Sequence, residues 1–286
     1  MNQYNAIDLF CGAGGLSYGF ECAGFNILLG IDNDQKALEV FERNHKGAKS
    51  ICGDITQIDY EQIKEKIGDK RIDIIIGGPP CQGMSLSGPR KFDDPRNKLY
   101  LSYIRLVDEI KPRAFVIENV PGLVSLFNGQ IKDSIIEKFT AMGYKVKYQI
   151  LCASDYGVPQ RRNRIIFMGY RRGLNPPHYP KPTTKPEERV TLLEAIGDLI
   201  TDPEQRDKVN PNLSQYQLES VNGRTPNING IPISATDIAN TELSRQTDIV
   251  RERFELFKPG ESGSYLKKRV MEVGIDISDK PALIDL

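Results

Sequence analysis

The sequence predicts an α/β fold built on a doubly wound, mostly parallel sheet with a terminal antiparallel strand. Segments with strand-like and helix-like patterns alternate from residue 5 to residue 170. That alternation is typical of a parallel sheet, because each parallel crossover needs a helix, or a chain of similar length, to return to the same edge. The last two strand candidates are joined by only about a dozen turn-rich residues, which favours an antiparallel hairpin there.

Each strand candidate is a short apolar run bounded by residues that favour turns. The candidates cover residues 6–10, 27–31, 51–53, 72–76, 114–117, 146–151 and 164–169. Helical periodicity is visible between them, over residues 34–45, 99–110 and 131–142. A glycine-rich turn also joins the first strand to a helix of its own.

The pattern changes after Tyr170, where the chain becomes rich in proline. Five prolines fall within residues 173–186, which indicates an extended linker or a surface loop. Beyond them, helices are predicted over residues 190–200 and 241–257, with little periodicity between. We therefore predict a catalytic domain, a proline-rich linker and an accessory region, over residues 1–172, 173–189 and 190–286.

Composition narrows the classes of function. The 286 residues contain 38 Lys and Arg against 38 Asp and Glu, so any nucleic-acid surface has to be local. We find no signal peptide and no apolar run near the ~18 residues that span a bilayer, which predicts a cytoplasmic protein without membrane contact. The five cysteines form no C-x-x-C pair and the chain has two histidines, so we expect neither a metal site nor a disulfide framework.

Acidic residues mark the ends of the first three strand candidates and predict an adenosine-type cofactor. Asp8, Asp32 and Asp54 occupy these positions, where a carboxylate suits hydrogen bonds to ribose hydroxyls or an adenine edge. Gly12 and Gly14 start a dinucleotide fingerprint, but Ser17 occupies the place of its third glycine. The absent glycine favours S-adenosylmethionine over a dinucleotide.

A second set of reactive residues falls at the same predicted edge of the sheet. Cys81 follows two glycines and two prolines after the fourth strand, and Glu118 ends the fifth. Arg162 and Arg164 are two residues apart, which places them on one face of a strand. Each of these residues alone has an ordinary structural explanation: a buried structural cysteine, a capping glutamate or a solvated pair of arginines. Together at one edge of a sheet, they are typical of an active site.

These motifs resemble those of DNA cytosine-5 methyltransferases of the bacterial restriction–modification type. The resemblance implies a Rossmann-like methyltransferase fold and double-stranded DNA as the partner. Cys81 would attack carbon 6 of a flipped cytosine, with Glu118, Arg162 and Arg164 as the other catalytic residues. The matching blocks cover residues 8–15, 30–34, 53–55, 77–85, 118–120 and 160–164.

The resemblance also implies the residues that hold the two substrates. The S-adenosylmethionine site would comprise Asp8, Phe10, Gly12, Gly14, Asp32, Asn33, Asp54, Ile55, Pro80 and Leu99. In the loop after Cys81, Ser85 and Ser87 would contact phosphates beside the flipped nucleotide, and Gln82 would also bind DNA.

The later blocks of the family, a DNA-reading region and a closing helix, are not visible in residues 190–286. We therefore expect a second polypeptide that carries them; a truncated product and a small recognition region within residues 201–286 are the alternatives. The alternative function is a catalytically weak or inactive subunit that acts only with such a partner. A non-catalytic DNA-binding subunit, a tRNA methyltransferase and a dinucleotide oxidoreductase are the rival classes, and each explains fewer of the residues.

Overall fold

The computed structural model describes residues 3–80, 99–125, 129–199, 212–223, 246–256 and 265–275. The chain forms two compact units, Met1–Ala235 and Thr236–Leu286. The strands are β1 Asn5–Leu9, β2 Asn26–Asp32, β3 Lys49–Cys52, β4 Ile74–Gly77, β5 Ala114–Asn119, β6 Tyr144–Cys152 and β7 Asn163–Arg171. The helices of the first unit are α1 Gly15–Cys22, α2 Gln35–Asn44, α3 Tyr60–Ile67, α4 Leu99–Ile110, α5 Gln130–Ala141, α6 Leu192–Ile196 and α7 Gln215–Val221. The second unit contains α8 Asp248–Leu256 and α9 Leu266–Glu272.

The seven strands form one sheet in the order β3-β2-β1-β4-β5-β7-β6. The five strands from β3 to β5 are parallel, whereas β7 pairs antiparallel with both β5 and β6. The fold class and the hairpin predicted from the short connection are therefore confirmed. The antiparallel strand is the last one in the sequence, but in space it lies between β5 and β6 instead of at the edge.

The two faces of the sheet are covered by different helices, as a doubly wound fold requires. On one face, Ile7, Leu29 and Ile75 pack against apolar residues of α3, α4 and α5. On the other, Ala6 and Ile74 pack with residues of α1 and α2. Alternate residues of one strand thus serve opposite cores, which follows from the two-residue period of a strand.

Local capping explains where several helices begin. Asp34 precedes α2 and its carboxylate accepts from the backbone N–H groups of Lys36 and Ala37. Asp59 and Gln62 form a reciprocal capping box at the start of α3. These side chains satisfy backbone donors that have no partner inside the helix.

The accessory region contains helices that differ from the predicted ones. The helix predicted over residues 190–200 is the shorter α6, followed by a 3-10 turn at Gly197–Leu199. The helix α7 lies where little periodicity was found, and a capping box of Ser214 with Gln217 starts it. The helix predicted over 241–257 includes α8, and residues 241–245 and 257 lie outside the described part. The predicted domain boundaries stay a prediction.

The proline-rich segment runs back along the sheet from the end of β7. Lys147 Nζ donates to the carbonyl of Pro177, and the Tyr179 hydroxyl donates to the carbonyl of Ile166. Farther along, the backbone N–H groups of Thr183 and Thr184 both donate to the Asp155 carbonyl, at 2.9 and 3.0 Å. The segment is therefore tied to β6, to β7 and to the turn that follows β6.

Within the described ranges, none of the helices has the length and apolar character needed to cross a bilayer. The same ranges contain no group of three or more histidine, cysteine, aspartate or glutamate side chains placed to hold a metal ion.

Candidate active site

The glycine-rich turn after β1 adopts backbone angles that few residues tolerate. Phe10, Gly12 and Gly14 have φ angles of 64°, 52° and 91°, in the left-handed region that favours glycine. A Cβ atom on Gly14 would lie 2.0 Å from Nε2 of His45. Glycine at position 14 is therefore required both by the backbone angle and by close packing.

A buried pair of side chains packs against this turn at Gly14. His45 Nδ1 donates to Glu21 Oε2 over 2.6 Å, and His45 is only 1% exposed. The two residues lie just after α2 and near the end of α1. Sequence reasoning missed both, because nothing in a pattern of single residues joins positions 24 apart at two helix ends.

Asp8 lies beneath the turn and does not line the pocket described below. It is 1% exposed, and its Oδ2 accepts a 2.7 Å hydrogen bond from the Ser17 hydroxyl. Its Oδ1 has no partner among the described residues. Burial raises the pKa of Asp8 to about 7. Ser17, which replaces the third fingerprint glycine, is thus a buried partner of Asp8, whose predicted cofactor contact stays a prediction.

Asp32 holds the glycine-rich turn to the end of β2. Its Oδ2 accepts from the N–H of Gly12 at 2.8 Å, and its Oδ1 accepts from the N–H of Asp34 at 3.0 Å. The carboxylate therefore fixes the backbone of two neighbouring turns while lining a pocket at the carboxyl edge of the sheet.

The pocket has a volume of about 190 Å³ and combines apolar walls with two carboxylates. Its lining residues are Phe10, Ile31, Asp32, Asn33, Gly53, Asp54, Ile55, Gly78, Pro80 and Leu99. Seven of the ten predicted cofactor residues are among them, whereas Asp8, Gly12 and Gly14 are not. An apolar slot for a purine ring beside acceptors for ribose hydroxyls fits an adenosine-type ligand.

Two of the predicted catalytic residues meet at the carboxyl edge of the sheet. Glu118 is the second-last residue of β5 and Arg164 the second residue of β7, and Arg164 Nε lies 2.6 Å from Glu118 Oε1. The two side chains are 31% and 23% exposed, so they are open to a ligand. They meet because β7 is antiparallel, which puts its first residues beside the last residues of β5.

Arg162 is placed differently from Arg164. The strand β7 begins at Asn163, so Arg162 lies one residue before it, with its side chain exposed. The carbonyl of Arg162 accepts from the N–H of Ala153. The interpretation that both arginines lie on one strand therefore holds for Arg164 only.

The segment that leads to Cys81 is held against Glu118. Asn119 donates from Nδ2 to the carbonyl of Pro79 at 2.9 Å, and its Oδ1 accepts from the N–H of Val120. A Cβ atom on Gly78 would lie 3.1 Å from Glu118 Oε2. Glycine therefore allows the chain before Cys81 to pass close to the carboxylate. Cys81, Gln82, Ser85 and Ser87 lie outside the described residues.

Comparison with known proteins matches most of the chain to one protein family. The sequence model of the C-5 cytosine-specific DNA methylases matches residues 4–276. The chain is 45% identical to the type II methyltransferase M.XorII of Xanthomonas oryzae over 70% of its length, and 38% identical to M.DdeI of Desulfomicrobium norvegicum over 92%. Those matches span 47% of M.XorII and 63% of M.DdeI.

A solved structure also matches. It is a prophage-encoded DNA modification methyltransferase of E. coli, with 35% identity and a TM-score of 0.59, over 68% of this chain and 54% of that one. Enzymes of this family take their methyl group from S-adenosylmethionine, which agrees with the adenosine-type pocket. On the extent of the family match, this chain belongs to the C-5 cytosine-specific DNA methylases.

Proposed function

We propose that this chain is the catalytic part of a restriction–modification DNA methyltransferase, which transfers a methyl group to carbon 5 of an extruded cytosine. The observation that carries the proposal is the position of Pro80. It lines the cofactor pocket, and just before it the Pro79 carbonyl accepts from Asn119 while Gly78 passes close to the Glu118 carboxylate. We therefore expect Cys81, the next residue in the sequence, at the place where the methyl donor and the target base meet.

The pocket residues fit S-adenosylmethionine by their chemistry. Asp32 and Asp54 offer acceptors for ribose hydroxyls or an adenine edge, and Phe10, Ile55 and Leu99 offer apolar contact for the purine. When bound, S-adenosylmethionine supplies an electrophilic methyl group on sulfur.

Cys81 would act as a covalent catalyst, because carbon 5 of cytosine is a weak nucleophile. Addition of the thiolate to carbon 6 moves electron density to carbon 5, which then forms the bond to the methyl group. Loss of the carbon-5 proton to a base, followed by departure of the thiolate from carbon 6, restores the aromatic ring. The products are 5-methylcytosine, S-adenosylhomocysteine and the free enzyme thiol.

Glu118 and Arg164 would stabilise the base during the addition. Glu118 can hydrogen-bond the ring nitrogen and the exocyclic amine, where charge changes as sulfur adds to carbon 6. Arg164, paired with Glu118 at 2.6 Å, orients that carboxylate and adds positive charge that favours the thiolate. Arg162 is exposed, two residues before Arg164 in the sequence, and is the candidate for a phosphate or base contact.

Carbon 5 lies inside a stacked duplex, so the reaction requires extrusion of the base. Gln82, Ser85 and Ser87 would contact the DNA around the extruded nucleotide. The names of the relatives favour an active enzyme over the alternative of a weak or inactive subunit. A second polypeptide with the DNA-reading region stays a prediction, and restored sequence-specific methylation on co-expression with the neighbouring gene would test it.

The direct test is covalent trapping on DNA that contains 5-fluorocytosine, in the presence of S-adenosylmethionine. Fluorine at carbon 5 cannot leave as a proton does, so the enzyme stays bonded to the base. We expect a denaturation-resistant adduct with the unmodified chain, at least a thousandfold less with Cys81→Ser, and an undiminished adduct with Cys22→Ser. Cys22 is an exposed cysteine at the end of α1 and serves as the matched control. An adduct that survives Cys81→Ser would refute the assignment.

A further inference from the structure

We propose that Arg105 is a positioning residue for the methyl donor, because it fixes the loop that forms one wall of the pocket. This inference rests on the proposed function in taking S-adenosylmethionine as the ligand. The loop comprises residues 53–58 between β3 and α3, and its Gly53, Asp54 and Ile55 line the pocket.

Arg105 binds this loop through two backbone carbonyls. Its Nη2 donates to the carbonyl of Ile55 at 3.1 Å and to the carbonyl of Ile58 at 2.6 Å. The two carbonyls lie on either side of the turn at Thr56, whose N–H donates to Asp54 Oδ1. One guanidinium group therefore binds the chain on both sides of the turn, next to the lining residue Ile55.

The guanidinium is itself held in place from its own helix. Arg105 Nη1 donates to Glu109 Oε1 at 2.9 Å, one helical turn farther along α4. The Arg105 side chain is 35% exposed, so it is not part of the apolar core. A planar, forked donor group suits this geometry, and the ammonium group of lysine does not reproduce it.

The helix that carries Arg105 also supplies a lining residue at its start. Leu99, the first residue of α4, lies on the pocket wall. Through Arg105, the loop after β3 and the helix α4 are tied together, so the two walls keep a fixed separation before a ligand arrives. Preorganisation of this kind raises affinity because less conformational entropy is lost on binding.

We therefore expect Arg105→Met to raise the Kd for S-adenosylmethionine by about tenfold, measured by titration calorimetry on the full chain. Arg105→Lys keeps the charge without the fork and should raise Kd nearly as much. Glu109→Gln leaves both carbonyl contacts available and should raise it only about twofold. The KM for S-adenosylmethionine should rise with Kd, while kcat at saturating donor stays within about twofold.

Arg43→Met is the matched control, because Arg43 is an exposed helical arginine on α2 that, among the described residues, bonds only the Glu39 carbonyl of its own helix. It should leave Kd unchanged. A second readout needs no ligand: hydrogen exchange at the backbone amides of residues 54–58 should be faster in Arg105→Met than in Arg43→Met.

Each outcome has one meaning. Equal Kd and equal exchange in Arg105→Met and the unmodified chain would overturn the positioning role, as would an equal loss of affinity in Arg43→Met. If the unmodified chain binds no S-adenosylmethionine, the proposed function fails. The exchange of residues 54–58 then decides on Arg105 alone, since faster exchange supports its contact with the loop and unchanged exchange overturns it.

Discussion

The cofactor side and the reaction side of the proposed site are built from polar groups in opposite ways. On the cofactor side, Asp8 and His45 are each 1% exposed and support the glycine-rich turn from beneath. On the reaction side, Glu118 and Arg164 form an ion pair that is 31% and 23% exposed. Buried polar groups affect folding strongly, whereas an exposed pair contributes little to it. Changes on the first side should therefore alter stability, and changes on the second should alter rate.

The variant with the largest expected effect on stability is Asp8→Asn, with unfolding measured at several pH values. The folded pKa of Asp8 is about 7, against an ordinary value of 3.8. As pH rises from 4 to 7, the unfolded chain loses this proton and the folded chain retains it, so the unmodified protein loses stability relative to the variant. We expect the difference in unfolding free energy to grow by about 4 kcal/mol between pH 4 and pH 8.

Asparagine is the suitable replacement at position 8 because its amide oxygen can still accept from Ser17. Urea unfolding of both proteins across this pH range measures the difference. A difference that stays constant from pH 4 to pH 8 would show that the buried carboxylate does not titrate as burial requires.

A second test compares two neighbouring glycines of the turn. Gly14→Ala puts a Cβ atom against His45 in a left-handed backbone and should lower the unfolding free energy by about 3 kcal/mol. Gly15→Ala is the control, because a Cβ atom there has nothing within 4 Å and the residue begins α1. Its effect should stay within about 1 kcal/mol. Equal losses in the two variants, measured by thermal unfolding, would remove the special role of position 14.

The reaction side is tested by Glu118→Gln, which keeps the size of the side chain and removes its charge. We expect kcat to fall about a hundredfold, or about 2.7 kcal/mol in activation free energy, because the carboxylate no longer offsets charge on the base. The unfolding free energy should change by less than about 1 kcal/mol, since the ion pair is partly exposed. The initial rate of methyl incorporation into DNA and the urea midpoint measure the two effects.

Arg164→Lys is the companion variant, because it keeps the charge opposite Glu118. It should retain more activity than Glu118→Gln at similar stability. A large loss of stability with little change in rate would invert the contrast between the two sides.

The sequence predicted the fold and much of the pocket, because both follow from the alternation of strands and helices. Asp32 and Asp54 reach one pocket because parallel strands end at the same edge of the sheet. Asp8 shows the limit of that reasoning. The end of a strand gives the edge, but side chains along a strand alternate in direction, and Asp8 lies under the turn beside Ser17.

Hydrogen bonds from side chains to backbone carbonyls could not be predicted from the sequence. Arg105 binds carbonyls that lie 50 and 47 residues away, and a carbonyl group leaves no trace in the sequence pattern. The His45–Glu21 pair joins two helix ends with no shared periodicity. The strand predicted over residues 164–169 is β7, Asn163–Arg171, and neither range contains Arg162, so the two-residue spacing of the arginines did not place both of them on a strand.

The reversed direction of β7 also determines the path of the chain after the sheet is complete. Because β7 starts at the carboxyl edge of the parallel strands, its nine residues carry the chain about 27 Å to the opposite edge. The proline-rich segment then runs in the opposite direction, because its successive contacts are with Lys147, with Ile166 and finally with Asp155, which lies beyond the end of β6. Proline limits the conformations of this segment and removes backbone donors that a strand would need. The segment thus returns the chain at Thr183 and Thr184 to the carboxyl edge of the parallel strands without extending the sheet.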